Sequence, residues 1–318
     1  TMKNILVIGA AGQIGSELVP YLRKLYGSNA VVAAYRSTPL IPEIREGGPC
    51  ENMDAMEADK MFEVVKKYRI DTIINLVAVL SAKGEANPVM AWNINMGSLI
   101  NSLEVMREVQ GAVFTPSSIG AFGPSTPLDN TPQDTIMRPT TIYGISKVAA
   151  ELWSDYYFLK YRVDARGVRY PGIISNVTLP GGGTTDYAVE IYYEAIKNKH
   201  YTCYLKPGTY LDMMYMPDAL RACVELMEAD PGKLKHRNCF NVTAMSIEPE
   251  MIAAEIRKHI PEFTMDYQID PVRQSIAETW PNSMDQTAAM EEWGWKPVYD
   301  LPAMTTDMLQ VLSQRYKK

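Results

Sequence analysis

Histidine and cysteine are scarce, at three and four among 318 residues. His200, His236 and His259 lack metal-ligand spacing, and Cys50, Cys203, Cys223 and Cys239 include no CxxC pair. Neither a bound metal nor a disulfide framework is therefore expected, and the cysteines read as reduced thiols of a cytoplasmic protein. No apolar run reaches about 18 residues, so no membrane-spanning helix is expected. The chain enters a strand pattern at once, so no leader segment is expected either. Basic excess is also absent. Lys plus Arg total 31 against 37 Asp plus Glu, a net charge of -6, which argues against broad binding to nucleic acid or an anionic membrane. With 47% hydrophobic and 21% charged residues, long disorder and collagen-like repeats are excluded. The length suits one large α/β unit or two interlocked lobes.

What is present is an alternation of short apolar runs and amphipathic stretches. NILVIG (4–9) is β-branched, lacks polar alternation and ends in glycine, as a buried parallel strand does. Helical periodicity follows over 13–25, with Gly27 placed to end it. The pattern then predicts strands at 30–35, 72–79, 112–115 and 165–169, and helices at 60–67, 88–110 and 146–160. Strands and helices in turn, joined by short connections, predict a Rossmann-like, doubly wound parallel sheet covered on both faces. After Ile174 the pattern changes. Three glycines (181–183), helices over 187–196 and 249–260, and a tail with Trp280, Trp293 and Trp295 predict a smaller substrate-binding lobe at the C-terminal edge of the sheet. The expected division is 1–174, with about 211–245 returning to it, and 175–210 plus 246–318 for the lobe.

The first strand runs into Gly9-Ala10-Ala11-Gly12-Gln13-Ile14-Gly15, a GxxGxxG loop between a strand and a helix. Gly9 permits the sharp turn and Gly12 the approach of backbone to a pyrophosphate. Gly15 permits close packing of the helix whose N-terminus faces the phosphates. A dinucleotide is the expected ligand. The second strand ends in Tyr35-Arg36-Ser37, with Tyr35 where an aspartate for the ribose of NAD is usual. An arginine there could accept a 2′-phosphate, so the residues leave NAD and NADP open. Asp54 is a candidate for the adenine amino group, and Gln13, Ile14, Ala55, Leu76 and Ile173 complete the candidate cofactor set.

Tyr143 and Lys147 form a YxxxK pair, four residues apart and so on one helix face. A phenol is a poor base at neutral pH, and a lysine ammonium one turn away stabilises its phenolate. The same ammonium can hold the nicotinamide ribose. Ser118, 25 residues before Tyr143 and just after a strand, can bind the reacting oxygen. Ser118, Tyr143 and Lys147 are the candidate catalytic residues. At the same sheet edge, Ser81 follows the strand at 72–79, and Thr184 and Thr185 follow the three glycines. Each has a purely structural reading as well, as helix cap or turn residue. Asp218 reads as the N-cap of a helix over 219–227.

These segments, with TPSSIGAFGP, YGISKVAAE, RYPGIIS, GGGTTDYAVEIYYEA, MMYMPDALRA, ETWPNSMD and WGWKP, carry a family likeness. The chain resembles the extended short-chain dehydrogenases/reductases over nearly its whole length, and within them the short-chain type of L-threonine 3-dehydrogenase, itself similar to UDP-galactose 4-epimerase. The resemblance implies oxidation of the threonine 3-hydroxyl by NAD to 2-amino-3-ketobutyrate. It also implies a threonine pocket lined by Ser81, Thr184 and Trp280, and a homodimer formed by the helices at 88–110 and 146–160. Ile94, Leu99, Leu103 and Met106 mark the apolar surface of the first helix, and Val148, Leu152, Trp153 and Tyr156 that of the second. Tyr35 departs from the family pattern, as do Gly97 and Ser98, which stand where Asn-Gly is usual. Two rival readings share the scaffold. A nucleotide-sugar epimerase or dehydratase often has Phe-Asn after Arg-Tyr, where this chain has Pro171-Gly172. A non-enzymatic dinucleotide sensor usually lacks the YxxxK pair.

Overall fold

Four consecutive apolar residues make β1 (Ile5–Ile8) a strand buried on both faces. The computed structural model describes residues 1–317. In its first part β1 is followed by α1 (Gly15–Tyr26), β2 (Val31–Tyr35), α2 (Pro42–Gly47), β3 (Cys50–Asn52), α3 (Ala58–Lys67) and β4 (Thr72–Asn75). Then come α4 (Ser81–Ala86), α5 (Pro88–Val109), β5 (Ala112–Ser118), α6 (Ile142–Tyr161), β6 (Asp164–Tyr170) and β7 (Gly172–Ile174). The rest comprises α7 (Tyr187–Asn198), β8 (His200–Cys203), β9 (Leu211–Tyr215), α8 (Met216–Glu228), β10 (Phe240–Asn241) and β11 (Met245–Ile247). The chain closes with α9 (Pro249–His259), β12 (Thr264–Tyr267), α10 (Pro271–Ala277), α11 (Thr287–Trp293) and α12 (Leu301–Arg315).

Seven strands form the central sheet in the order β10-β6-β5-β4-β1-β2-β3, and every neighbouring pair is parallel. The doubly wound sheet expected from the alternation is present. Side chains alternate across its faces. Ile5 and Val7 pack with Leu18 and Leu22 of α1 and Ala222 and Leu226 of α8. Leu6 and Ile8 pack with Val64 of α3, Leu103 of α5 and Ala150 of α6. A third apolar cluster joins α7, α9 and α12 and includes Trp280. Two smaller sheets, β11-β9-β7 and β12-β8, complete the structure. Ala289 of α11 and Trp295 pack into the cluster beneath α1 and α8, although the sequence pattern groups that segment with the lobe.

Several features differ from the sequence expectation, among them β5, which runs on through Ser118 rather than ending at 115. The fourth strand ends at Asn75 rather than Val79, because a side chain takes over: Asn95 of α5 accepts from the Val79 amide at 2.8 Å and donates to its carbonyl at 3.3 Å. The sixth helix starts at Ile142, capped by Thr141, whose hydroxyl accepts from the Gly144 amide at 3.0 Å. Asp218 lies within the first turn of α8 and does not cap it. Its buried carboxylate instead accepts from Val298 and Tyr299 amides at 3.0–3.1 Å and pairs with Arg221 at 2.9 Å.

Glu17, in the first turn of α1, accepts a hydrogen bond from the Ser175 hydroxyl just beyond β7. Burial pushes its carboxyl up to about 7 from 4.5, against the lowering pull of the Ser175 bond and of Arg315. The folded chain therefore holds this proton more tightly than the unfolded chain does. The stabilisation is complete below the unfolded value and is lost as pH rises through about 7. Glu17→Gln, which mimics the protonated form, is expected to melt above wild type at about pH 8, with the gap closing by about pH 5. Thermal denaturation across that range checks it, and an equal gap at both ends contradicts it.

Candidate active site

The loop from Gly9 to Gly15 folds tightly over the C-terminal end of β1. Gly9 has φ of +81°, and its amide neighbourhood is so close to Leu76 that an added Cβ would lie 3.1 Å from that backbone. The Gly12 amide donates to the Gly9 carbonyl at 3.1 Å. A Cβ on Gly15 would meet the Gly9 oxygen at 2.5 Å and Ala10 Cα at 2.7 Å, so only glycine lets α1 start this close to the strand. Gln13 Nε2 is buried and has no hydrogen-bond partner among the described residues. A compact glycine cradle, an unpartnered amide donor and a helix N-terminus together fit the pyrophosphate of a dinucleotide.

Ser118 is the last residue of β5, and Tyr143 and Lys147 project from the first turns of α6. Gly120 lies between them. Its Cβ position is 3.5 Å from Ser118 Oγ and 2.9 Å from the Tyr143 ring, so serine and phenol share one small space. Ser118 Oγ accepts from the Gly120 amide at 3.0 Å, which leaves its own proton to donate. Lys147 Nζ lies 5.3 Å from the Tyr143 ring centroid and donates to the Pro116 carbonyl at 2.7 Å. Two of its N–H bonds remain for other acceptors.

Beneath these groups is a buried strut that the sequence reading did not include. Glu151, one turn beyond Lys147, accepts from Ser117 Oγ at 2.6 Å and pairs with Arg169 of β6 at 2.9 Å. Arg169 also donates to the Gln133 carbonyl at 2.7 Å and to Asn241 Oδ1 at 3.0 Å. Glu151 is 2% and Arg169 4% exposed. The signal was the fourfold spacing Tyr143, Lys147, Glu151 on one helix face.

Ser81 opens α4 and does not cap it. Its hydroxyl lies 3.0 Å from the Thr184 hydroxyl, and both residues are buried. Helix α4 rests against the start of α6, where Glu85 accepts from the Ile142 amide at 2.9 Å. Thr185 sits over β7, its Oγ1 3.0 Å from the Gly172 Cβ position. Asp186, also absent from the sequence reading, accepts from the Gly182 and Gly183 amides at 3.0 and 2.7 Å, and burial pushes its carboxyl up to about 6. Trp280 is 4% exposed within the α7–α12 cluster, with its indole N–H unpartnered.

Other candidates are less engaged. Leu76 donates to the Ile8 carbonyl at 2.9 Å, Ile173 is half-buried on β7, and buried Ala55 accepts from Asn101 at 3.0 Å. Asp54 spends one carboxylate oxygen on the Met56 amide at 2.9 Å, a local turn. Arg36 is exposed at the end of β2. No group of three or more potential metal ligands occurs among the described residues.

The model of the NAD dependent epimerase/dehydratase family matches residues 5–242. The chain belongs to this family, and NAD is its cofactor. It is 51% identical to an uncharacterized epimerase/dehydratase of Staphylococcus aureus, over 99% of this chain and 98% of the relative. The structure of L-threonine dehydrogenase from Clostridium difficile superposes with a TM-score of 0.96 at 55% identity, covering 99% of this chain and 98% of that one. A monomeric L-threonine 3-dehydrogenase from a metagenome superposes with a TM-score of 0.94 at 39% identity, covering 98% and 100%. The likeness to L-threonine dehydrogenases seen in the sequence is thus borne out in three dimensions.

The close contact at Gly15 yields a direct test of the cradle. Gly15→Ala must push α1 away from Gly9, and NADH binding followed by nucleotide fluorescence is expected to weaken about tenfold or more, equivalent to about 1.4 kcal/mol. Unchanged affinity would show that the loop does not hold the cofactor.

Proposed function

We propose that the chain oxidises the 3-hydroxyl of L-threonine to give 2-amino-3-ketobutyrate. The observation that carries this reading is the gathering of Ser118 and Tyr143 around Gly120, beside an α4 whose Ser81 is joined to Thr184, in a chain similar along its length to L-threonine dehydrogenases. The Gly9–Gly15 loop and Gln13 would hold NAD, which would supply the hydride acceptor for C3. Tyr143 takes the proton of the substrate hydroxyl. Ser118, held by the Gly120 amide, donates its hydrogen bond to the same oxygen as negative charge develops there. Lys147, anchored on the Pro116 carbonyl, stabilises the tyrosinate and offers its remaining N–H bonds to the nicotinamide ribose. Ser81, Thr184 and Thr185 supply hydroxyls for the polar ends of the amino acid, and Trp280 closes the pocket against water.

The same proposal divides the chain into a cofactor-binding part, 1–174 with about 211–245, and a substrate lobe, 175–210 with 246–318. It places the enzyme in the cytoplasm, in keeping with four free cysteines. No helix among the described residues is long and apolar enough to cross a membrane.

We also propose a homodimer, on narrower grounds than the sequence suggested. Leu99, Leu103 and Met106 of α5 are buried within this chain, so they mark its own core. The supporting surface lies mainly on α6, where Leu152 is 62% and Leu159 69% exposed beside Trp153 and Tyr156. A depression of about 580 Å³ runs between Leu152, Trp153, Tyr156, Tyr157 and Tyr161. Exposed Val89, Met90 and Trp92 add an apolar edge at the start of α5. Sedimentation at micromolar concentration is expected to give twice the chain mass, and Leu152→Glu to give the monomer. A monomeric wild type overturns the dimer and leaves the chemistry untouched.

The chemical reading predicts NADH formation with L-threonine and none with UDP-galactose. Tyr143→Phe keeps the ring and removes the base, so kcat should fall by about 10²-fold or more while NADH binding is kept. Near-normal turnover in that variant, or conversion of the nucleotide sugar in place of threonine, would sink the assignment.

A further inference from the structure

Twenty residues beyond Gly15, the end of β2 carries Tyr35, Arg36 and Ser37. In dinucleotide folds an acidic side chain here accepts from the adenosine ribose and repels a 2′-phosphate, whereas an arginine nearby accommodates one. The structure fixes this strand end beside the glycine loop. Ile8 of β1 pairs with Ala34, and the Ala10 amide donates to the Ala34 carbonyl at 3.1 Å. Strand β3 holds it from the other side, where the Tyr35 carbonyl accepts from the Met53 amide at 2.8 Å and the Arg36 carbonyl from Asn52 Nδ2 at 3.0 Å.

The backbone is thus held while the side chains remain available. Tyr35 is half-buried against the apolar cluster under α1, so it brings no charge to the rim. Arg36 and Ser37 are exposed. No side-chain hydrogen bond or ion pair occupies the Arg36 guanidinium among the described residues. The acids on and just beyond the neighbouring strand make other contacts. Glu51 accepts from Lys67 and Tyr68, each at 2.8 Å, and Asp54 from the Met56 amide.

We propose that this rim admits a 2′-phosphate, so that the chain binds NADP(H) as well as NAD(H). Arg36 contacts the phosphate, and Tyr35 permits it by bringing no negative charge. The inference rests on the dinucleotide reading of the glycine loop, and its test separates the two.

Binding of NADH and NADPH to the purified protein, without substrate, is measured by nucleotide fluorescence at low and high salt. Wild type is expected to bind NADPH within about tenfold of NADH, and added salt should weaken NADPH selectively, because screening acts on the extra charged contact. Arg36→Ala should weaken NADPH by about tenfold with little change for NADH, the loss of one charge-assisted contact. Tyr35→Asp should raise the preference for NADH by about tenfold or more. Wild type binding NADH at least about 100-fold more tightly than NADPH overturns the proposal and leaves the cofactor reading intact. So does a preference unmoved by both substitutions. Binding of neither nucleotide overturns both.

Discussion

The active end of this molecule depends on one buried ion pair. Glu151 on α6 and Arg169 on β6 meet at 2.9 Å with almost no solvent. Taking both charges out of water costs several kcal/mol, which their mutual attraction offsets only with close geometry and further hydrogen bonds. That bonding comes from Ser117, Gln133 and Asn241, so the pair ties together α6, β5, β6, the 126–139 segment and β10. Its consequence is register. Three successive residues of β5 are fixed in turn: Pro116 by Lys147, Ser117 by Glu151, and Ser118 by the Gly120 turn that lies under Tyr143. The helix cannot slide along the strand without breaking the first two contacts, and the spacing of Ser118 and Tyr143 follows from them.

A second set of contacts joins the sheet to the segment beyond it. Ser175 is held by Glu17 at the start of α1, and Thr184 is held by Ser81 at the start of α4. Between them Gly182 and Gly183 fold back on the Asp186 carboxylate. The loop is therefore attached at both ends to elements that also shape the glycine cradle and the start of α6.

Much of this was legible in the sequence where chemistry and local pattern coincide. The β1 run, the glycine loop and α1 are contiguous, and their glycines have steric reasons that hold in any context. Tyr143 and Lys147 were legible as a helical pair. Glu151 shares their spacing, but a helical glutamate is ordinarily solvated, and only the arrival of Arg169 on a neighbouring strand shows otherwise. Ser81 and Thr184 are 103 residues apart, a separation that periodicity cannot bridge. β4 ends before its apolar run, which continues to Leu80, because Asn95 takes the place of a strand partner. Aspartate before an apolar stretch is usually a cap, but the Asp218 carboxylate serves the 298–299 backbone instead.

The central claim is that the substrate's C3 hydrogen leaves as hydride in front of Tyr143 and Ser118. L-threonine carrying deuterium only at C3, incubated with the protein and NAD, tests it most directly. The account predicts that the reduced nucleotide gains one deuterium in its nicotinamide ring, read by mass spectrometry. Reduced nucleotide without deuterium, or no reduction at all, would contradict it.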